Sequence, residues 1–271
     1  MNNLLTVPEA ELYYEVRGSG PLVVLVGAPM DADSFAPLAD LLADSYTVLT
    51  TDPRGVKRSK LTDGGTSTPE QRADDLARLI QYVDRGPAVA FGSSGGAVSV
   101  LALAQNHPET VRAVIAHEPP LDHLVADGDE LLAKSEKLMA DYLSGDVVGA
   151  WEQFFALANI QLPPGMAQMM FGGERDPQQV ADERFWFAHE MRESISWRPD
   201  LARLSAVRVL VGIGSDSTGQ LCDRTSTALA DLLGIKPTHF PGGHTGFADD
   251  PKAFEPELRR QLVEVVLDPG A

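Results

Sequence analysis

Residues 89–98, Val-Ala-Phe-Gly-Ser-Ser-Gly-Gly-Ala-Val, constrain this chain more than any other stretch. A short apolar run ends abruptly in glycine and serine, and a helical pattern begins at once beyond it. A strand that turns directly into a helix holds the apex residue in a strained backbone conformation and lifts its side chain clear of the sheet edge. The residues two before and two after the apex crowd each other and must lack side chains. Gly92 and Gly96 flank Ser94 in this way, whereas Ser93 has no such flanks. The helix that starts behind the apex supplies free N–H groups and the positive end of a dipole. Ser94 is therefore placed to attack a carbonyl, and the Gly95 N–H to hold the resulting oxyanion.

Either side of this turn the hydrophobic pattern alternates between strands and helices. Strands are expected over 3–7, 11–16, 22–26, 46–51, 87–91 and 111–117. Leu22 to Val26 and Val111 to His117 are continuous apolar runs, the signature of strands buried on both faces. Helices are expected over 34–43, with Asp31 or Asp33 as cap, over 69–84, opened by Thr68 and Pro69, and over 95–106. The rhythm then breaks. From about Pro119 to Pro199 no strand pattern occurs, and amphipathic helices fit 130–143, 147–158 and 178–195. Alternation resumes with strands at 207–213 and 237–240 and helices at 221–233 and 251–267. Repeated strand–helix units with buried strands predict a mostly parallel, doubly wound α/β sheet, whose chemistry sits at the carboxyl ends of the strands.

Composition limits the partners. A formal net charge of −17 disfavours nucleic acid and anionic membranes, both of which would be repelled. The single cysteine, Cys222, rules out an intrachain disulfide and fits a reducing compartment. The first residues show no basic segment followed by an apolar one, and no apolar run is long enough to span a bilayer, so a cytoplasmic protein is expected. No cofactor or metal is expected: no set of His, Cys, Asp and Glu has metal-ligand spacing, and no G-x-G-x-x-G or phosphate-binding loop occurs.

Just past the strand ends stand Gly27-Ala28, Ser94, Glu118, Asp216 and His244. The order is serine, then acid, then histidine. With Gly92-Ser93-Ser94-Gly95-Gly96, the loop Gly214-Ser215-Asp216, Pro241-Gly242-Gly243-His244 and the turn Asp52-Pro53-Arg54-Gly55, the chain resembles the α/β-hydrolase superfamily along essentially its whole length. The resemblance implies an eight-stranded sheet, a helical lid inserted after the sixth strand, and Ser-His-Asp chemistry. The domains would then be a core formed by 1–120 and 201–271, and a lid at 121–200. Two departures stand out. The family's usual His-Gly before the oxyanion loop is Val26-Gly27 here, which removes a hydrogen-bonding anchor, and Lys57 replaces a common glycine. Ala28-Pro29 is similar to the x-Pro of lidded members, where that bond can be cis.

Each role has a physical reason. A serine hydroxyl needs a base, and the His244 imidazole has the right pKa to take and return a proton. A carboxylate must fix its tautomer, and Asp216 is the expected acid. Glu118 is the alternative, but Pro119-Pro120 stiffen the chain as it leaves that strand, which suggests an anchoring role instead. The oxyanion hole is expected from the N–H groups of Gly95 and Ala28, each such donor being worth about 3–4 kcal/mol. His117 and His123 read as structural or pocket-lining, and Lys57, Arg58 and Lys60 as a solvated basic run.

All three tryptophans, five of seven methionines and five of ten phenylalanines lie in the insertion, more than its own core should need. Aromatic and methionine linings suit apolar ligands. The expected partner is a hydrophobic small molecule, with self-association left open. The function expected is a cofactor-free serine esterase or lactonase. The alternatives are perhydrolase or C–C bond hydrolase chemistry on the same fold, or a binding protein without turnover.

Overall fold

The computed structural model describes residues 3–62 and 65–267. The strands are β1 (Leu4–Val7), β2 (Ala10–Arg17), β3 (Leu22–Val26), β4 (Thr47–Thr51), β5 (Lys60–Leu61), β6 (Ala88–Ser93), β7 (Val111–His117), β8 (Arg208–Gly214) and β9 (Thr238–Phe240). Eight form one sheet in the order β1-β2-β4-β3-β6-β7-β8-β9, and the two-residue β5 pairs with β2. β1 and β2 are antiparallel, and β2 is antiparallel to β4; from β4 to β9 all neighbours are parallel. The eight expected strands are all present, and β5 is the addition.

The helices are α1 (Ala32–Leu42), α2 (Pro69–Val83), α3 (Gly95–Asn106), α4 (Gly128–Ser144), α5 (Val147–Ala158), α6 (Met166–Phe171), α7 (Pro177–His189), α8 (Met191–Ile195), α9 (Leu201–Leu204), α10 (Leu221–Leu233), α11 (Gly246–Asp249) and α12 (Pro251–Leu267). Caps explain several boundaries. Asp31 accepts from the Ser34 N–H to start α1, and Thr68 with Gln71 closes a capping box on α2 beside Pro69.

The alternation of side chains along the central strands divides the core in two. Leu22, Val24 and Val26 of β3 join one cluster with Leu76 and Leu79 of α2, the small residues of α3, and Leu229 of α10. Val23 and Leu25 join the other, with Phe35 and Leu38 of α1 and Phe254 and Leu258 of α12. Each central strand is thus buried on both faces, which is why its sequence reads as an unbroken apolar run.

Between β7 and β8 the chain makes α4 to α9 before returning to the sheet. Leu138, Met139 and Tyr142 of α4, Ala150 of α5, Phe187 of α7 and Met191 of α8 form a small core of their own, with the Tyr142 and Phe187 rings stacked 4.0 Å apart. The single helix expected over 178–195 breaks at Glu190. That residue is 1% exposed, and its carboxylate accepts from the Ser67 hydroxyl (2.9 Å) and faces the Arg72 guanidinium (3.8 Å). Arg72, on α2, also donates to Ser99 of α3 (2.7 Å) and Ser194 of α8 (2.8 Å). A buried charge needs such a complete set of partners, and bending the chain at Glu190 supplies one of them. Trp197 likewise leaves the insertion's core for the main one, its Nε1 donating to Glu70 (2.7 Å).

Of the basic run, Lys60 is exposed, in β5, but Lys57 and Arg58 are held in ion pairs rather than left to solvent. Lys57 pairs with Asp31 and Asp33 (2.6 and 2.5 Å), Arg58 with Asp52 (2.7 Å), and the Arg58 guanidinium lies 3.7 Å over the Tyr13 ring. Through its backbone N–H, Lys57 also holds Asp182 of α7 (2.9 Å), while Phe185 covers Gly55 so closely that a Cβ there would lie 2.2 Å from the ring. These contacts fix α7 over the carboxyl end of β4. Among the described residues no helix is long and apolar enough to cross a membrane.

Candidate active site

The parallel register places the strand ends side by side. Val26 pairs with Gly92, Ser93 with His117, His117 with Gly212, and Gly214 with Phe240. The residue after each end therefore faces a common edge.

Ser94 stands at the apex between β6 and α3 with φ 57° and ψ −125°. Its N–H donates to the His117 carbonyl (3.0 Å), and its side chain caps nothing. Such a backbone conformation costs on the order of 1–3 kcal/mol and persists only where its surroundings enforce it. They do so by close packing. A Cβ on Gly92 would lie 2.2 Å from the Gly96 carbonyl oxygen, one on Gly96 2.3 Å from that of Val26, and one on Gly95 2.5 Å from that of Ala28. Gly92→Ala is therefore expected to lower the stability of the fold by about 3 kcal/mol or more, read from the urea midpoint; an unchanged midpoint would refute this account of the turn.

His244 follows the β9 loop, and its Nδ1 lies 2.5 Å from Oε2 of Glu118. Asp216, the expected acid, is not there. It is exposed, its N–H donates to the Gly242 carbonyl (3.0 Å) and the Ser215 N–H to that of Phe240 (2.8 Å), and the partner of the His244 ring is a different carboxylate. The pairing expected between Asp216 and His244 is thus corrected to Glu118 and His244. Glu118 adopts φ 53°, its own N–H donates to the Gly212 carbonyl (3.0 Å), and its Oε1 accepts from the Gly214 N–H (2.8 Å). It is fully buried. The stiff Pro119-Pro120 segment that argued against Glu118 follows this left-handed turn and leaves the carboxylate pointing inward.

Electrostatics follow the geometry. Burial alone would raise the Glu118 pKa, but the bond to His244 outweighs it and holds the group well below the usual carboxylate range. Loss of solvent works against the charged form of His244; a Cys222 thiolate would favour that form, but with the thiol neutral it is the Glu118 carboxylate that favours it and raises the pKa. His117 is the reverse case. It is fully buried, its Nδ1 lies 3.0 Å from the Ser93 hydroxyl, and it sits among Phe91, Phe240 and Phe254, so burial pushes its pKa down to about 4 and keeps it neutral.

Ser94 and His244 line one cavity together with Ala28 and Gly95. The Ala28–Pro29 bond is cis. Asp52 accepts from the Ala32 N–H (2.9 Å) at the start of α1, so the segment after Ala28 is tied down although the histidine anchor is absent. The far walls are apolar and come from the insertion: Phe154 and Leu157 of α5, Trp186 of α7, and Met191 and Ile195 of α8. Of the five methionines there, Met191 lines the cavity, whereas Met169 and Met170 are exposed.

Cys222, in the first turn of α10, was not singled out from the sequence as part of a site. It lines the cavity, and its Sγ, a His244 ring nitrogen and a Glu118 oxygen lie within 4.8 Å of one another. Burial raises its pKa, so it stands as a neutral thiol. Among the described residues this trio alone has the types and proximity of metal ligands. Both Glu118 oxygens are already engaged, by Gly214 and His244, which marks the group as a hydrogen-bonded relay.

The family model of the α/β hydrolase fold matches residues 20–151. An uncharacterized hydrolase of Bacillus subtilis (strain 168), YraK, is 32% identical over 96% of this chain and 96% of its own length. A zearalenone hydrolase of Bionectria ochroleuca is 30% identical over 54% of this chain and 59% of its own. Among solved structures, an α/β hydrolase from Sphaerobacter thermophilus DSM 20745 aligns with a TM-score of 0.68 at 25% identity, covering 95% of this chain and 96% of that one. With a strained serine at a strand–helix turn, a histidine backed by a buried carboxylate, and a relative along its whole length, this chain belongs to the α/β-hydrolase fold family and is a hydrolase of that family.

Proposed function

We propose that this chain is a serine hydrolase that opens carboxylic esters or lactones of apolar organic molecules through an acyl-enzyme on Ser94. The observation that carries this reading is the single cavity in which Ser94 and His244, the latter hydrogen-bonded to Glu118, face walls of Phe154, Trp186 and Met191. His244 takes the proton of the Ser94 hydroxyl as its oxygen attacks the ester carbonyl. Glu118 holds the Nδ1 proton, so that the other nitrogen is the base, and stabilises the imidazolium that forms. The N–H groups of Gly95 and Ala28 receive the oxyanion. His244 returns the proton to the leaving alcohol, which for a lactone stays attached to the acyl group. A water activated by the same imidazole then frees the acid and restores Ser94.

The helices of 121–200 act as a lid, roofing the cavity and excluding water from the reacting centre. An apolar, uncharged substrate matches these walls, and the net charge of −17 keeps nucleic acid and anionic membranes from being partners. The hydrolases named among the relatives support hydrolysis as the reaction. The test is a fluorophosphonate probe read by mass spectrometry beside a panel of nitrophenyl esters and lactones. Labelling of Ser94 with turnover is expected. Labelling with no turnover of any ester or lactone would refute the reading.

A further inference from the structure

Beyond Glu118 the chain runs through Pro119 and Pro120 into a short 3-10 turn, Asp122–Leu124. The turn is held by its own backbone: Leu121 N–H to the Pro119 carbonyl (2.9 Å) and Leu124 N–H to that of Leu121 (2.9 Å). The Asp122 side chain takes no part in this. It is 2% exposed, neither carboxylate oxygen has a hydrogen-bond partner, and it lines the cavity of Ser94 and His244. Ser135, from α4, is fully buried, lines the same cavity, and its hydroxyl is also without a partner. Their neighbours around the cavity include Leu157, Ala158 and Ile160.

Buried polar groups are nearly always satisfied, because each unmet one destabilises the fold, a charged one more so. Leucine would fill the place of Asp122 at no such cost. Two unmet groups in the wall of a substrate cavity are therefore groups held ready for a ligand. We propose that Asp122 and Ser135 form a subsite for a hydroxyl group of the substrate, which rests on the reading of this cavity as the substrate site. Burial, then the nearby Asp127 carboxylate, push the Asp122 pKa up to about 7 against the opposing effect of Arg224. At neutral pH a large share of the group is thus a carboxylic acid, with one hydrogen to donate and an oxygen to accept. A hydroxyl has the same two capacities. A substrate hydroxyl bonded by Asp122 and Ser135 leaves nothing unmet, and an analogue without it leaves two buried polar groups unpaired.

The test needs no turnover, so its failure is separable from that of the hydrolase reading. Dissociation constants are measured on the full chain by titrating tryptophan fluorescence, Trp186 being in the cavity wall. The probes are benzyl alcohol, ethylbenzene, which has a methyl group in place of the hydroxyl, and benzylamine as a cation. The ratio of the ethylbenzene to the benzyl alcohol constant is expected to fall at least tenfold in Asp122→Leu, to fall in Ser135→Ala, and to be largely kept in Asp122→Asn, whose amide also donates and accepts. The urea midpoint of Asp122→Leu is expected to rise, since an unmet buried carboxyl is removed; a group serving the fold would give the opposite. Should Asp122→Leu not fold, Asp122→Ala, which also removes the carboxyl, takes its place with the same tenfold criterion. A ratio that moves less than tenfold overturns the proposal. So does a greater loss of affinity for benzylamine than for benzyl alcohol, which would make the subsite one for a cation.

Discussion

Ser94→Ala is expected to abolish turnover of every ester and lactone that the unaltered chain hydrolyses, a loss on the order of 10⁴ to 10⁶ in kcat, and to abolish fluorophosphonate labelling. Alanine keeps the Cβ that the apex already accommodates at φ 57°, and the N–H of residue 94 still donates to the His117 carbonyl. The lost hydroxyl caps no helix. The urea midpoint should therefore stay where it is, and the defect should be chemical alone. Ser93 provides the control within the same motif. Its hydroxyl is buried against His117 Nδ1 at 3.0 Å, so Ser93→Ala should cost about 1–3 kcal/mol of stability and leave turnover within a few-fold. Retention of a tenth or more of the original turnover in Ser94→Ala would sink the acyl-enzyme mechanism. A dead Ser93→Ala beside an active Ser94→Ala would move the nucleophile one residue back.

Much of this fold was legible because its physics is local. The central strands are buried on both faces, and burial on both faces leaves an unbroken apolar run such as Leu22 to Val26 that few other structures produce. The turn at Ser94 was legible for a steric reason, since Gly92 and Gly96 sit where a Cβ would meet backbone at 2.2 and 2.3 Å. Helices whose caps are sequence-adjacent, such as α2 with Thr68 and Gln71, could be placed to within a residue. What could not be read depends on partners far away in sequence. The break at Glu190 answers to Ser67 and Arg72, more than a hundred residues earlier. Lys57 and Arg58 look like solvated charges until Asp31, Asp33 and Asp52 close around them. Cys222 carries no motif and joins His244 and Glu118 only because α10 starts beside the β9 loop. Asp122 and Ser135 belong to no sequence motif, and only the structure shows that both line the cavity, buried without partners.

The acid is where sequence and structure part most sharply, and it gives the second large expected effect. Asp216 stands after the strand that follows the insertion, in a loop of small residues, and Glu118 before a proline pair. Flexibility was the wrong criterion. A carboxylate that must orient an imidazole works best when it cannot move, and Glu118 is fixed from three sides: its N–H by the Gly212 carbonyl, its Oε1 by the Gly214 N–H, and its Oε2 by His244. In Glu118→Gln the amide oxygen can still accept from Gly214. Its NH₂ then faces His244 Nδ1, which must accept rather than donate, and the ring proton moves to the nitrogen that should be the base. The shape is kept and the tautomer is wrong, at an expected loss of about 10⁴ in kcat. Glu118→Asp, one methylene short, cannot reach both Gly214 and His244, and a misplacement of about 1 Å should cost on the order of 10²-fold. Asp216→Asn changes an exposed side chain, the His244 Nδ1 being bonded to Glu118 instead, and should leave kcat within about threefold. The comparison is made on one ester at one pH, with the urea midpoint of each variant measured alongside so that a folding defect is not read as a catalytic one. An active Glu118→Gln beside an inactive Asp216→Asn would return the acid to residue 216, and would mean that the loop Gly214 to Ser217 turns inward when substrate binds.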